Sequence, residues 1–548
     1  MMNTYPVEGK DKGWLIMPML VCSLIHLPLS FYPLGRDQGV WLSVGSALLD
    51  GKLFVSEILH FNLPGLGLTF AFFQSFISNP HVVVVSASVF SCLLIIVSGF
   101  YLIKHATTPR TAQIFSWAFA IIYPLSIDYY NIAQKDMLAM SWLMVALAVF
   151  LKGQSMHKSS LWFVLSGLSV ALSVFHKPVF GIVGIFLALL ECLRYRQHHS
   201  LKTCMLNLTL LFIGFAIPIA CYIAYLWINN ALHEAWMALQ FAAWYSGLTD
   251  HGFSKLTYLL LAYLSLPNPD NLTLSFIQLA LWFPLTVLGL YRVLSKPHSR
   301  ATHLLWLLIS VSIFTYYIQG KGFPYQAFPV IVSGFIVLSI ALDYLVTQSN
   351  NKWWLKSLTL CILAFLLIKN LAFNHYSTAL LPYLLGKSDR ITYLDKHYHP
   401  KDSPDTHIAE AIGRWLDKEL SQQETIHIWG MENYIYTLAN RSFPTRHHFH
   451  FFLYANLDDH PTLSTWQDSL HQAFIETISA KKPAVFIEAH YGGNKDDRYL
   501  TVQSVSQFPP IYNWLETNYR LAKQIDRLDI WVRKDLNLPP LTTINSIP

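Results

Sequence analysis

The sequence predicts a mainly α-helical, polytopic transmembrane bundle followed by a soluble α/β domain. Three observations carry this. First, 53% of the 548 residues are hydrophobic and only 13% charged, with mean hydropathy +0.37; a soluble chain of this length carries roughly a quarter charged residues. Second, apolar runs near the length that crosses a bilayer, about 20 residues, recur up to residue 374. Third, residues 375–548 turn polar, charged and proline-bearing, with apolar strands between amphipathic helices.

The expected spans are 13–34, 81–103, 111–127, 137–152, 161–176, 178–193, 203–227, 272–294, 301–318, 327–345 and 354–374. Two shorter apolar stretches, 64–79 and 255–266, are broken by Pro or Gly and suit interfacial or re-entrant helices, so the count runs from eleven to thirteen. No small-residue cleavage site follows the first run, which therefore reads as a retained signal anchor. Basic residues sort the loops. Lys104, His105 and Arg110 follow the second span, Lys152 and Lys158 the fourth, and Arg194, Arg196 and Lys202 the sixth. Arg292, Lys296 and Arg300 follow the eighth, and Lys352 and Lys356 the tenth. Every even-numbered exit is basic, which places the N-terminus in the cytoplasm and residues 375–548 outside. The net charge of +6 resides in these short loops, a pattern of membrane orientation and not of nucleic-acid binding.

Residues 375–548 form the second expected domain, beside 1–374. Helices are expected around Ile408–Leu420 and Leu463–Ile478, and strands at Ile426–Trp429, Ala484–Glu488 and Leu528–Val532, an α/β layer. The cysteines Cys22, Cys92, Cys192, Cys204, Cys221 and Cys361 all fall in apolar stretches and read as buried small hydrophobes, not as a disulfide framework or zinc site.

The outer loops collect the unusual polar residues. After the first span stands Gly35-Arg36-Asp37-Gln38-Gly39; an ionisable residue at the mouth of a bundle is costly and so usually functional, the bland alternative being an anchor at the headgroups. Asp128-Tyr129-Tyr130-Asn131-Ile132-Ala133-Gln134-Lys135-Asp136 brings a second carboxylate to a helix start, where it also suits the helix dipole. His176-Lys177-Pro178 offers a compact cation for phosphate or one that snorkels. Gln319-Gly320-Lys321-Gly322-Phe323-Pro324-Tyr325-Gln326 is an irregular segment around a lysine, suited to ligand contact through its amides. His447, His448 and His450 read as a surface loop, since adjacent histidines point apart and a zinc site needs convergent ligands. Two carboxylates and two lysines on one side suit transfer of a sugar from a polyprenyl phosphate: a base for the acceptor and cations for the leaving phosphate.

In order, Arg36-Asp37, Asp50-Gly51, Pro64-Gly65, Asp136-Met137-Leu138, Lys177-Pro178 and Gln319-Gly320-Lys321-Gly322 resemble the GT-C glycosyltransferases of the protein O-mannosyltransferase and lipid A aminoarabinose transferase type. The resemblance covers residues 13–374 and the presence of an outer C-terminal domain. It implies a GT-C-like bundle and an inverting hexosyl- or pentosyltransferase in the plasma (inner) membrane, with a periplasm outside. The donor would be a polyprenyl-phosphate sugar and the acceptor an extracytoplasmic protein, lipid A or glycan. Asp37 would be the catalytic base and Asp136 a second essential carboxylate; Arg36, Lys177, Lys321 and Tyr325 would bind substrate. Relatives carry a basic residue and two prolines before the second apolar stretch. Here that segment is His60-Phe61-Asn62-Leu63-Pro64-Gly65, so His60 and Asn62 would serve there as hydrogen-bond donors. No metal or cofactor is required, although a divalent cation is compatible. Two rivals remain. A secondary transporter or lipid-linked-sugar flippase should show internal repeats and midplane charges, and neither is evident. A membrane-anchored binding protein would leave the loop carboxylates dispensable.

Overall fold

The structure, a computed structural model, describes residues 10–539 apart from 157–159, 199–200, 248–283, 296–298, 320–322, 349–351, 355–356, 358–360, 362–363, 365–375, 399–403, 449 and 492–503. Its first helices are α1 (Lys10–His26), α2 (Arg36–Leu49), α3 (Gly65–Gln74), α4 (Pro80–Ala106) and α5 (Pro109–Ser126). Then come α6 (Lys135–Ser155), α7 (Ser160–His176), α8 (Ile182–His198), α9 (Leu201–Ile228) and α10 (Leu232–Gly247). The apolar part closes with α11 (Pro284–Leu294), α12 (Arg300–Gln319) and α13 (Phe328–Gln348).

Among the described residues six helical segments are long and apolar enough to cross a membrane: Gly13–Phe31, Pro80–Ala106, Lys135–Ser155, Leu201–Ile228, Arg300–Gln319 and Pro324–Gln348. The expected spans 161–176 and 178–193 are helical but shorter, and 111–127 is the 18-residue α5. The stretch 64–79 holds only the ten-residue α3, which rises about 15 Å, half the hydrocarbon thickness. The stretch 255–266 and most of 354–374 lie outside the described residues. One expectation is corrected. Residues 36–39 are not a loop but the first turn of α2.

The chain divides into two compact units. One comprises Met1–Ser30, Val85–Tyr222 and Thr249–Thr378; the other comprises Phe31–Val84, Ile223–Leu248 and Ala379–Pro548. The second unit thus joins two segments from the first half of the chain to its C-terminal part.

Within the first unit, α5 packs on α1 and α13, and α6 on α7. Thr108 caps α5 by accepting the Thr111 amide, with Pro109 in the first turn, where its missing N–H costs nothing. Phe119 stacks on Tyr123 at 5.1 Å and meets Phe335 of α13 edge-on at 5.5 Å. Asp343, on α13, accepts Thr108 Oγ1 at 3.0 Å, Thr111 Oγ1 at 2.7 Å and the Arg110 guanidinium, so the entry of α5 is tied to α13. A Cβ on Gly167 would lie 2.0 Å from the Leu211 carbonyl, and one on Gly214 2.0 Å from the Val164 carbonyl. Helices α7 and α9 therefore cross with backbones in contact, which only small residues allow.

The second unit holds α2, α3 and α10 with α14 (Arg390–His397), α15 (Thr406–Glu419), α16 (Tyr434–Leu438), α17 (Pro461–Lys481) and α18 (Pro509–Asn518). Its sheet has strands β1 (Ile426–Trp429), β2 (Val485–Ala489), β3 (Tyr519–Ile525) and β4 (Leu528–Arg533), in the order β1-β2-β4-β3. The β1–β2 pair is parallel, with Ile426 opposite Val485, and the remaining pairs are antiparallel. Every residue of β1 and β2 is buried, His427 and Glu488 included. A Cβ on Gly39 of α2 would lie 2.3 Å from the Tyr434 amide nitrogen, so α2 lies directly against the start of α16.

Candidate active site

In the first unit three helix ends meet around one carboxylate. Asp136 sits in the first turn of α6 and is fully buried. At the end of α7 the Lys177 amide donates to the Ser173 carbonyl at 2.9 Å, and Pro178, which has no N–H, stops the helix. The Lys177 side chain turns inward, bringing Nζ 3.1 Å from Asp136 Oδ2. The last residue of α12, Gln319, donates Nε2 to Asp136 Oδ1 at 2.9 Å. Each carboxylate oxygen thus accepts one hydrogen bond. The Gln319 Oε1 is buried without a hydrogen-bond partner among the described residues. A buried ammonium–carboxylate pair gives little net stability, but removing one partner strands the other. Lys177 retains further N–H donors beyond the one on Asp136. Lys321 lies outside the described residues; Tyr325 is half-buried and stacks on Phe323 at 5.5 Å.

In the second unit Arg36 and Asp37 open α2. Gly35 is the N-cap, and its amide donates to Gln38 Oε1 at 2.7 Å. Asp37 is half-buried and has no hydrogen-bonded or ionic partner among the described residues. Arg36 Nε lies 3.0 Å from Glu432 Oε1, and its guanidinium sits 4.9 Å above the Tyr491 ring. The Tyr491 hydroxyl donates to Glu432 and accepts the Met431 amide at 2.7 Å. Burial and the neighbouring Glu432 carboxylate push the Tyr491 phenol well above its usual range, so it stays a donor. His60 is buried between Trp41 at 4.3 Å and Phe61 at 5.1 Å, and its Nδ1 accepts the Asn62 amide at 3.0 Å. Asn62 is half-buried.

Two solved structures of ArnT from Cupriavidus metallidurans, one bound to undecaprenyl phosphate and one in the apo state, have the same fold. Their TM-scores are 0.55 and 0.56 at 12% and 14% identity, each covering 95% of this chain and 98% of that chain. The Archaeoglobus fulgidus oligosaccharyltransferase, tethered by a disulfide to an acceptor peptide containing the NVT sequon, gives a TM-score of 0.50 at 14% identity. It covers 88% of this chain and 69% of that one. The chain has the GT-C glycosyltransferase fold. It is a multi-pass membrane protein. No protein-family model and no curated protein matches the sequence.

On this GT-C scaffold the structure brings Asp136, Lys177 and Gln319 together in the first unit, and Arg36 and Asp37 together at the head of α2 in the second. Sequence reasoning did not assign Gln319 or Glu432 a role. Gln319 opens the Gly-Lys-Gly segment, and Glu432 follows Trp429-Gly430 directly after a strand; position was the only signal. The histidines are a correction. His447, His448 and His450 are buried, not a surface loop, and His427 joins them. His427 Nε2 and His450 Nε2 are 2.9 Å apart, so one donates and the other accepts. Neither ring nitrogen of His447 has a partner among the described residues. Burial, the first cause in each case, lowers all four, His448 and His450 to about 3. The reading of the cysteines also changes: Cys22, Cys92 and Cys204 are buried, whereas Cys192, Cys221 and Cys361 are exposed. Among the described residues, groups with metal-ligand spacing are Cys22/His26/Cys92, Asp395/Asp405/His407 and Glu488/His490/Asp529. In the last, His490 Nε2 already pairs with Asp529 at 3.0 Å.

Proposed function

We propose that the chain is an inverting glycosyltransferase, moving a hexose or pentose from a polyprenyl-phosphate donor to an extracytoplasmic protein, lipid A or glycan. The observation that carries this is the buried Asp136 clamped by Lys177 and Gln319 at three helix ends, in a fold shared with an enzyme solved with undecaprenyl phosphate. Asp136 acts through Lys177: its carboxylate holds the ammonium in place, with Gln319 on the other oxygen. Lys177 uses its remaining N–H donors on the donor phosphate, where negative charge grows as the sugar departs. Lys321 and Tyr325 join it in donor binding.

Asp37 is the general base. A half-buried carboxylate without a partner among the described residues can accept the proton of an acceptor hydroxyl as that oxygen bonds to the anomeric carbon. The carbon–oxygen bond to phosphate breaks in the same displacement, the polyprenyl phosphate leaves with the electron pair, and the anomeric configuration inverts. Arg36, His60 and Asn62 bind substrate. The enzyme lies in the plasma membrane, N-terminus in the cytoplasm and C-terminal residues outside.

The test is mass spectrometry of envelope glycans, glycolipids and proteins from cells with and without the chain, paired with the purified protein and a labelled polyprenyl-phosphate sugar. One sugar modification should vanish without it, and the purified protein should release polyprenyl phosphate as the label moves to an acceptor. Unchanged envelope chemistry, with the labelled lipid merely crossing the bilayer intact, sinks the proposal.

A further inference from the structure

We propose that Cys22, His26 and Cys92 form a buried binding site for a soft, closed-shell metal ion, Zn(II) or Cu(I), inside the first unit. Cys22 and His26 are one turn apart on α1 and so share a face; Cys92 comes from α4. All three are 0% exposed, and the two sulfurs and one ring nitrogen lie within 4.8 Å of one another. Cys22 Sγ is 3.6 Å from His26 Nδ1, and Cys92 Sγ is 3.8 Å from His26 Nε2.

A second observation points to a ligand. His26 Nδ1 lies 2.8 Å from the Cys22 carbonyl oxygen, which has no proton, so Nδ1 carries the ring hydrogen and donates it. The Nε2 lone pair then faces Cys92. An imidazole that donates one nitrogen to a backbone carbonyl and presents the other is the arrangement found around metal-binding histidines. Thiolate and imidazole together select Zn(II) or Cu(I) over hard ions. On binding, each thiol gives up its proton as a sulfur–metal bond forms, and no electron is transferred. With Zn(II) the two thiolates cancel the charge of the ion, which lowers the cost of placing it in an apolar bundle; Cu(I) is satisfied by three ligands. The ion would tie α1 to α4, independently of any sugar chemistry.

The full chain, purified in detergent under reducing conditions, is titrated with Zn(II) alone and with Cu(I) alone against a chromophoric chelator. X-ray absorption at the metal edge then reads the ligands. The wild type should retain one equivalent of one of these ions, with two sulfur neighbours at about 2.3 Å in the zinc case. Cys92→Ala and Cys22→Ala should each lose that equivalent while still eluting as folded protein. The histidines of the second unit provide no sulfur, so a signal from nitrogen alone overturns the assignment. So does equal stoichiometry in the wild type and the Cys variants, or a Cys22–Cys92 disulfide in protein alkylated before lysis. Cys192→Ala, which breaks the neighbouring Cys192–Cys204 thiol pair, should keep that equivalent, so the sulfur signal stays assignable even where a Cys22 or Cys92 variant fails to fold; its loss in Cys192→Ala overturns the assignment.

Discussion

Lys177 Nζ stands 3.1 Å from Asp136 Oδ2 across 41 residues of sequence, with the carboxylate fully buried and the lysine side chain 15% exposed. Each partner depends on the other. Removing either one strands a buried charge, and without the carboxylate the ammonium would be free to snorkel away.

Lys177→Met should therefore destabilise the first unit by about 3–5 kcal/mol, because it leaves a buried carboxylate with only Gln319. Asp136→Asn, which keeps the shape, should cost less, and the double variant less than the sum of the two. Thermal unfolding of the four proteins in one detergent gives the coupling. Strict additivity would show that the contact carries no energy.

Asp37→Asn should cut sugar transfer by roughly 10²–10⁴-fold, the usual worth of a positioned base. Binding of the polyprenyl-phosphate donor should be unchanged. Lys177→Arg should do the reverse, weakening donor binding first, since a planar fork replaces a point charge. Donor binding and single-turnover transfer, measured separately, distinguish the two; an Asp37→Asn enzyme with full turnover removes the base.

Gly39→Val should disrupt the second unit, because its Cβ would fall 2.3 Å from the Tyr434 backbone nitrogen and 2.7 Å from the Tyr434 Cβ. Gly51→Ala tests a different property. Its Cβ would meet no atom within 4 Å, but its φ of +82° disfavours a side chain, so the cost should be only about 1 kcal/mol. Limited proteolysis ranks them: Gly39→Val should be cut readily, Gly51→Ala little more than the wild type.

Acid should loosen the same unit. His448 and His450 stay neutral in the native state down to about pH 3, whereas in the unfolded chain they take up protons below about 6.5. The unfolded state then binds more protons, so stability falls as pH drops from 6.5 towards 3. Between pH 6.5 and 5 each contributes a loss of about 2 kcal/mol. His450→Phe should reduce the pH dependence of the unfolding midpoint across that interval, leaving the share of His427, His447 and His448; an unaltered slope would move the proton uptake elsewhere.

The sequence showed most of the architecture because burial leaves a compositional mark. Strand β1 falls on Ile426–Trp429 as expected from its apolar run. Strand β3 went unseen: Tyr519–Ile525 is largely exposed and carries Arg520, Lys523 and Gln524, so no apolar pattern marks it. The start of α2 read as a loop because two glycines and three polar residues resemble a turn, yet Gln38 caps Gly35 and begins the helix. Asp136 and Lys177 stood out as charges at span ends, but their contact did not, since nothing in a sequence reports that two helix ends share a corner. The histidines were misplaced for a related reason. Polarity suggests exposure, whereas Phe474 lies among His427, His447 and His450 at ring distances of 5.2, 5.9 and 6.0 Å.

The order of the sheet has a consequence for biogenesis. Strand β4 is the last among the described residues and yet lies inside, between β2 and β3. While the ribosome has not yet released those residues, β2 must wait with one edge bare and unable to recruit its neighbour. A stop codon falling just after Ile525 would leave that edge open for good, and the product, with its spans intact, would be expected to be drawn to quality-control proteases of the membrane.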